Sequence, residues 1–196
     1  MTFWLLVRRA TSHRQWVALS DWARETGFRF ARKAPGEIPA PLNALRNVAP
    51  VVRLSLFKGP ISFVQIEIPE PPVGAARVAG NRRVLWNVLI RRIEPTWPPT
   101  GLRPANATAS VLDLFSLSSF PTLGSTERFI AYGTDTSAAR VLSKSSARSL
   151  LPADVGLLLH GCTVVLDFSD RPFDVIEFGR MLALSDQLAT RLPAPP

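Results

Sequence analysis

The chain has 196 residues, 46% of them hydrophobic, and one cysteine, Cys162. That is enough apolar material for a buried core in one domain, and it excludes an internal disulfide or a cysteine-built structural zinc. The formal net charge is +8, from 23 Lys and Arg against 15 Asp and Glu.

The basic excess is uneven. Residues 1–103 carry 16 basic and 6 acidic side chains, net +10, whereas residues 104–196 carry 7 and 9, net −2. Only Lys33, Lys58 and Lys144 are lysines. Such a surface is first of all a solvated one. Its alternatives are an anionic membrane or a phosphate-bearing partner. No recognition-helix pattern or aromatic RNA-binding motif argues for nucleic acid.

Phe3–Val7 is apolar and is followed by Arg8-Arg9. The run is far short of the roughly 20 residues that span a bilayer, and no charge precedes it as in a signal peptide. Residues 1–10 therefore read as an apolar and basic stub that packs on the domain or rests at a membrane interface. The pattern also resembles the cytoplasmic exit of a longer membrane helix.

Ser12 and Gln15 have capping-box spacing, and Trp16, Leu19, Ala23 and Thr26 recur at helical spacing. A helix is predicted over Ser12–Thr26, with Gly27 as its left-handed C-terminal residue. Trp22 lies off the stripe and is expected under a strand, and Phe28–Phe30 is a brief extended exit. Pro35, Pro39 and Pro41 then break any continuous helix, and Leu42–Arg46 has room for one turn.

Val51–Phe57 and Ile61–Ile68, joined by Lys58-Gly59-Pro60, read as a hairpin. Val52, Leu54 and Leu56 alternate with polar residues in the first strand; Val64, Ile66 and Ile68 do so in the second. Pro69–Arg82 is expected as a loop. Arg83–Ile93 is a strand apolar on both sides, with Val84, Trp86, Val88 and Ile90 on one face and Leu85 and Leu89 on the other, which suits a central place in a sheet. Glu94–Pro104, with Pro95, Pro98, Pro99, Gly101 and Pro104, reads as a turn-rich connection. Val111–Phe120 fits neither period.

Arg128–Tyr132 is a predicted strand, with Phe129 and Ala131 facing opposite to Ile130 and Tyr132. Asp135 or Thr136 caps a short helix through Leu142, and Ser143 starts another that ends near Pro152. Cys162–Phe168 is a β-branched strand. Asp174-x-x-Glu177 is an acidic capping box, and Phe178, Met181, Leu182, Ser185, Leu188 and Ala189 form a helical stripe to about Arg191. Residues 11–192 thus make a single α+β domain: an antiparallel sheet packed against N-terminal and C-terminal helices, with a Pro-rich tail over residues 193–196.

Glu127–Leu151 resembles a family of bacterial domains of unassigned activity that are often tethered by membrane helices. Its C-terminal module reads Phe-x-Val-x-x-x-Asp, then Ala-Arg-x-Leu-Leu-x-Pro. Phe129, Asp135, Ala139, Arg140 and Leu142 match these places, while Ser143 and Pro152 depart from the Leu-x-Pro pattern. The resemblance covers about a third of the chain. It implies an α+β fold and proximity to a membrane, and no activity.

Catalytic signatures are sparse. His13 and His160 are the two histidines, and His160 and Cys162 share a strand face if that strand starts early. A dyad needs a ring nitrogen within hydrogen-bond reach of the sulfur. A half-buried histidine beside a core cysteine is the simpler expectation. Asp167, Asp170, Asp174 and Glu177 form the densest acidic cluster. They are candidate Mg²⁺ or Ca²⁺ ligands, or else turn and helix caps. Arg8, Arg9, Arg82, Arg83, Arg91 and Arg92 are the candidate anion- or membrane-binding residues. Asn106-Ala107-Thr108 has the glycosylation pattern, discounted without a leader. No cofactor is implied. The expectation is a non-enzymatic interaction domain in the cytoplasm, peripheral to the membrane, whose partner is a protein or an anionic surface. The alternatives are a metal-dependent hydrolase using Asp167–Glu177 and an anion or nucleic-acid binder using the first-half arginines.

Overall fold

The computed structural model describes residues 15–32, 39–43, 50–69, 83–107, 110–115, 117 and 122–196. A helix over residues 15–26, α1, leads into strand β1 (Arg29–Arg32). The hairpin β2 (Val51–Lys58) and β3 (Ile61–Pro69) follows, then the long strand β4 (Arg83–Pro104). The second half runs α2 (Val111–Leu114), β5 (Gly124–Ser125), β6 (Phe129–Gly133), α3 (Thr136–Lys144), α4 (Ser146–Leu150), β7 (Gly156–Asp167) and α5 (Val175–Arg191). The fold is α+β, with an antiparallel sheet and helices at both ends of the described chain.

The strands lie in the order β1-β2-β3-β4-β6-β5, and β7 pairs with β4. β4 is the centre. Its first half pairs with β3, its second half with β6, and β7 runs along it from Val88 to Leu102. This is the central position its two-sided apolar pattern predicts.

Glu94–Pro104 is strand, not the expected turn-rich connection. Prolines remove ladder donors and are tolerated where the ladder is already irregular. Pro95, Pro98 and Pro99 fall in such a stretch: the β4–β7 register shifts between Arg92 and Trp97 and again between Trp97 and Thr100.

The sheet separates two cores. On one face, α1, α3, α4 and α5 cover Leu54, Leu56, Phe63, Leu89, Trp97 and their neighbours. The rings of Trp22, Phe28, Phe63, Phe168, Phe173 and Phe178 meet there, with Phe63 stacked on Phe178 at 4.3 Å between centroids. Trp22 therefore packs under the sheet, as its place off the helical stripe suggests. On the other face, Val64, Ile66, Ile68, Trp86, Val88 and Ile90 are covered by Leu42, α2 and Leu117.

Phase changes keep each strand facing the right core. A bulge between Val52 and Leu54 sets Arg53 outside the ladder. Val52 then joins the second core while Leu54 and Leu56 join the first, so the predicted shared stripe is split. In β7, Leu157 and Leu159 face the first core from odd positions, and Val164 and Leu166 face it from even ones. The switch falls at His160–Thr163, where Gly161 has φ +56° and Thr163 Oγ1 donates to the His160 carbonyl (2.6 Å).

Helix ends follow the chemistry read from the residues. Phe28 N–H donates to Ala23 O, Gly27 N–H donates to Arg24 O, and Gly27 has φ +77°, a Schellman closure of α1. Ser12 lies outside the described residues. Asp135 caps α3 by accepting from Ser137 and Ala138 N–H. A bond from the Ser137 hydroxyl, joined by those two, holds its carboxyl below the usual range. The second short helix starts at Ser146, not Ser143, because α3 runs on to Lys144. β7 starts at Gly156, six residues before the predicted Cys162. Arg128–Tyr132 is realised as β6, with Phe129 and Ala131 in the first core and Ile130 and Tyr132 at the second. The α5 stripe holds, and Leu184 is buried with it.

Candidate functional site

The acidic cluster is dispersed into structural ties. Asp167, at the end of β7, is buried at 5% exposure. Its Oδ2 accepts from Val111 N–H (2.7 Å), and Oδ1 accepts from the Ser169 N–H and hydroxyl. Burial pushes its carboxyl up from the usual range, against the pull of those bonds. Asp174 caps α5 through Glu177 N–H (2.9 Å). The Glu177 carboxylate accepts from Arg171 (2.6 Å) and Arg180 (3.3 Å) instead of closing the capping box. Asp170 is exposed. Among the described residues, no group of three or more His, Cys, Asp or Glu is placed to hold a metal ion.

Arg171 also donates to both oxygens of Asp154 (2.8 and 2.6 Å). This bidentate pair lowers the Asp154 carboxyl below its usual range and raises the already high Arg171. The tie joins the β7 approach to the α5 entry. No sequence signal marks it, since the two residues stand 17 apart on opposite sides of a strand.

Of the candidate arginines, the two whose side chains are described, Arg91 and Arg92, are not brought together. Arg8, Arg9 and Arg82 lie outside the described residues, as does His13, and Arg83 is described only by its place at the start of β4. The pleat sends Arg91 and Arg92 to opposite faces. Arg91 donates to Ser185 (3.2 Å) and pairs with Asp186, both on α5. Arg92 is exposed on the other face.

On that face Arg92 borders a groove of about 470 Å³. The β2–β3 turn at Gly59-Pro60 and the strand residues Ser62 and Ile90 line it. His160–Thr163 of β7 and the segment at Pro39–Pro41 and Asn43 close it. The expected half-buried histidine is here, but Cys162 is half-buried at the groove wall and not the expected core cysteine. His160 packs its ring 5.8 Å from Phe115, and Cys162 Sγ lies 3.3 Å from Thr96 Oγ1. Both border one groove, but the cysteine's hydrogen-bond partner is Thr96. The groove escaped sequence reading because its walls come from segments some 120 residues apart.

No family model matches this chain, and no curated protein matches it. Among solved structures it is similar to the crystal structure of the mycobacterial trehalose monomycolate transport factor A, TtfA. The TM-score is 0.60 at 12% identity, over 91% of this chain and 94% of that one. At that identity the likeness is one of fold. Among the described residues, no helix is long and apolar enough to cross a membrane.

Proposed function

We propose that this chain is a non-enzymatic interaction domain that works at a membrane face. The observation that carries the reading is the use of its buried carboxylates. Asp167 fastens α2 to β7, and Glu177 fastens Arg171 to α5, so both serve the fold. A similar fold in a protein described as a trehalose monomycolate transport factor supports a role in transport. The membrane side of the reading rests on Phe3–Val7, Arg8-Arg9 and the +10 charge of residues 1–103.

Vesicle co-sedimentation tests it. The chain should bind vesicles rich in phosphatidylglycerol more than neutral ones. Each basic residue near the surface contributes on the order of 1 kcal/mol, and the attraction fades as salt shortens the Debye length. Removing residues 1–10 should abolish most of the binding while the melting temperature stays put. An intact chain that ignores anionic vesicles at low salt sinks the membrane part. Tight, stoichiometric Mg²⁺ or Ca²⁺ binding lost in Asp167→Asn or Glu177→Gln would move the reading to a metal-dependent hydrolase.

A further inference from the structure

The groove beside Arg92 has a chemistry of its own. Its described lining contains no acidic residue, yet it holds Arg92, His160, Ser62, Asn43 and Thr163. The Arg92 guanidinium makes no hydrogen bond or ion pair with a described residue, its backbone N–H alone donating to Pro60 O (2.9 Å), whereas the side chain of its neighbour Arg91 is engaged by Asp186 and Ser185. Beside two glycines and Cys162, the rest of the lining is apolar: Pro39, Ala40, Pro41, Pro60 and Ile90. Its volume falls in the range of about 300–1,000 Å³ typical of small-molecule sites.

We propose that this groove binds a small amphiphile with a single carboxylate head. The head meets the Arg92 guanidinium, whose planar fork matches a carboxylate. The tail lies along Ile90 and the proline rings. An acyl chain suits these walls better than a peptide does. Proline has no N–H, so the Pro39–Pro41 and Pro60 sides offer a peptide backbone few donors, and its polar groups would stay unpaired. The site is separate from residues 1–10 and does not depend on the membrane-side reading.

The test is titration calorimetry of the full chain with decanoate below its micellar concentration. Decanol serves as the head-less control and acetate as the tail-less one. Decanoate should bind at one saturable site, with decanol and acetate each weaker by about tenfold or more, since each lacks one of the two contacts. Arg92 is exposed, so Arg92→Gln should fold like the parent and lose about tenfold in decanoate affinity. Cys162, the only cysteine, lies in the groove and reports location. Decanoate should slow its alkylation by iodoacetamide, and deletion of residues 1–10 should leave both effects unchanged. The proposal is overturned by absent or non-saturable binding, by equal affinity in Arg92→Gln, or by binding that leaves Cys162 unprotected. A short extended peptide that displaces decanoate and binds more tightly would also overturn it, in favour of a peptide groove.

Discussion

The two faces of the sheet are buried by different means. One is roofed by four helices and filled with stacked and edge-on aromatic rings. The other is largely aliphatic around Trp86 and Tyr132, and among the described residues its cover is a four-residue helix and pieces of loop. A helix as short as α2 has almost no stability of its own. It is held by side chains: Ser110 and Asp113 form a capping box, and Asp167 reaches its first N–H from across the chain. A regular cover carries its own periodicity, while an irregular cover is held by individual hydrogen bonds.

The largest effect should come from comparing the aromatic centre of each face. Phe178→Ala and Trp86→Ala each remove a large buried ring, which costs about 3–5 kcal/mol. Phe178 should lie at the top of that range. Its ring contacts Trp22, Phe63, Phe168 and Phe173, and such pairs add about 0.5–1.5 kcal/mol each beyond area. Trp86 sits among aliphatics, and its buried indole N–H has no acceptor among the described residues, so its loss removes an unpaired donor as well as a ring. Urea denaturation of both variants decides the order. The reverse order would break the contrast between the faces.

Asp167→Asn probes the latch on the second face. The amide keeps one acceptor and turns a donor toward either the Val111 or the Ser169 N–H, leaving about 1–3 kcal/mol of unmet hydrogen bonding. The pH dependence sharpens the reading. Burial raises the folded-state pKa of Asp167, so its contribution is fullest in acid, below the unfolded carboxylate value, and is lost as pH rises through the folded value. The stability gap between parent and variant should therefore narrow from acid toward neutral pH. A gap that widens instead would mean that the ionised carboxylate is the favoured form in the fold.

Gly161→Ala should give the smallest effect. A Cβ there meets nothing within 4 Å, so the cost is backbone strain alone, on the order of 1 kcal/mol for the left-handed conformation. Thermal melting measures it. A loss of several kcal/mol would show that the phase change in β7 depends on Gly161 more closely than its open surroundings indicate.

The helical side was legible because its residues announce themselves. The α5 stripe, the Gly27 stop and the opposed pairs of β6 follow from spacing and from one or two capping side chains. The hairpin was legible as an element, yet the face of Val52 was not, because a single bulged residue reverses pleat phase without altering composition. The prolines of Glu94–Pro104 suggested a break, and the structure tolerates them where β4 and β7 already lose register. The groove joins segments far apart in the chain, and the Asp154–Arg171 tie joins the two ends of β7. No local pattern encodes a meeting that depends on the finished sheet.

The placement of β4 also bears on how the domain opens. One 22-residue strand supplies a partner to β3, β6 and β7. The hairpin and the β6–α3–α4 unit thus both join the sheet through β4, one at each end of the strand. Releasing either exposes an edge of the same strand to solvent. Amide exchange at Val88–Ile90 and at Gly101-Leu102 should accordingly report one shared opening, close to global unfolding, while β1 and β5 exchange through smaller and faster events.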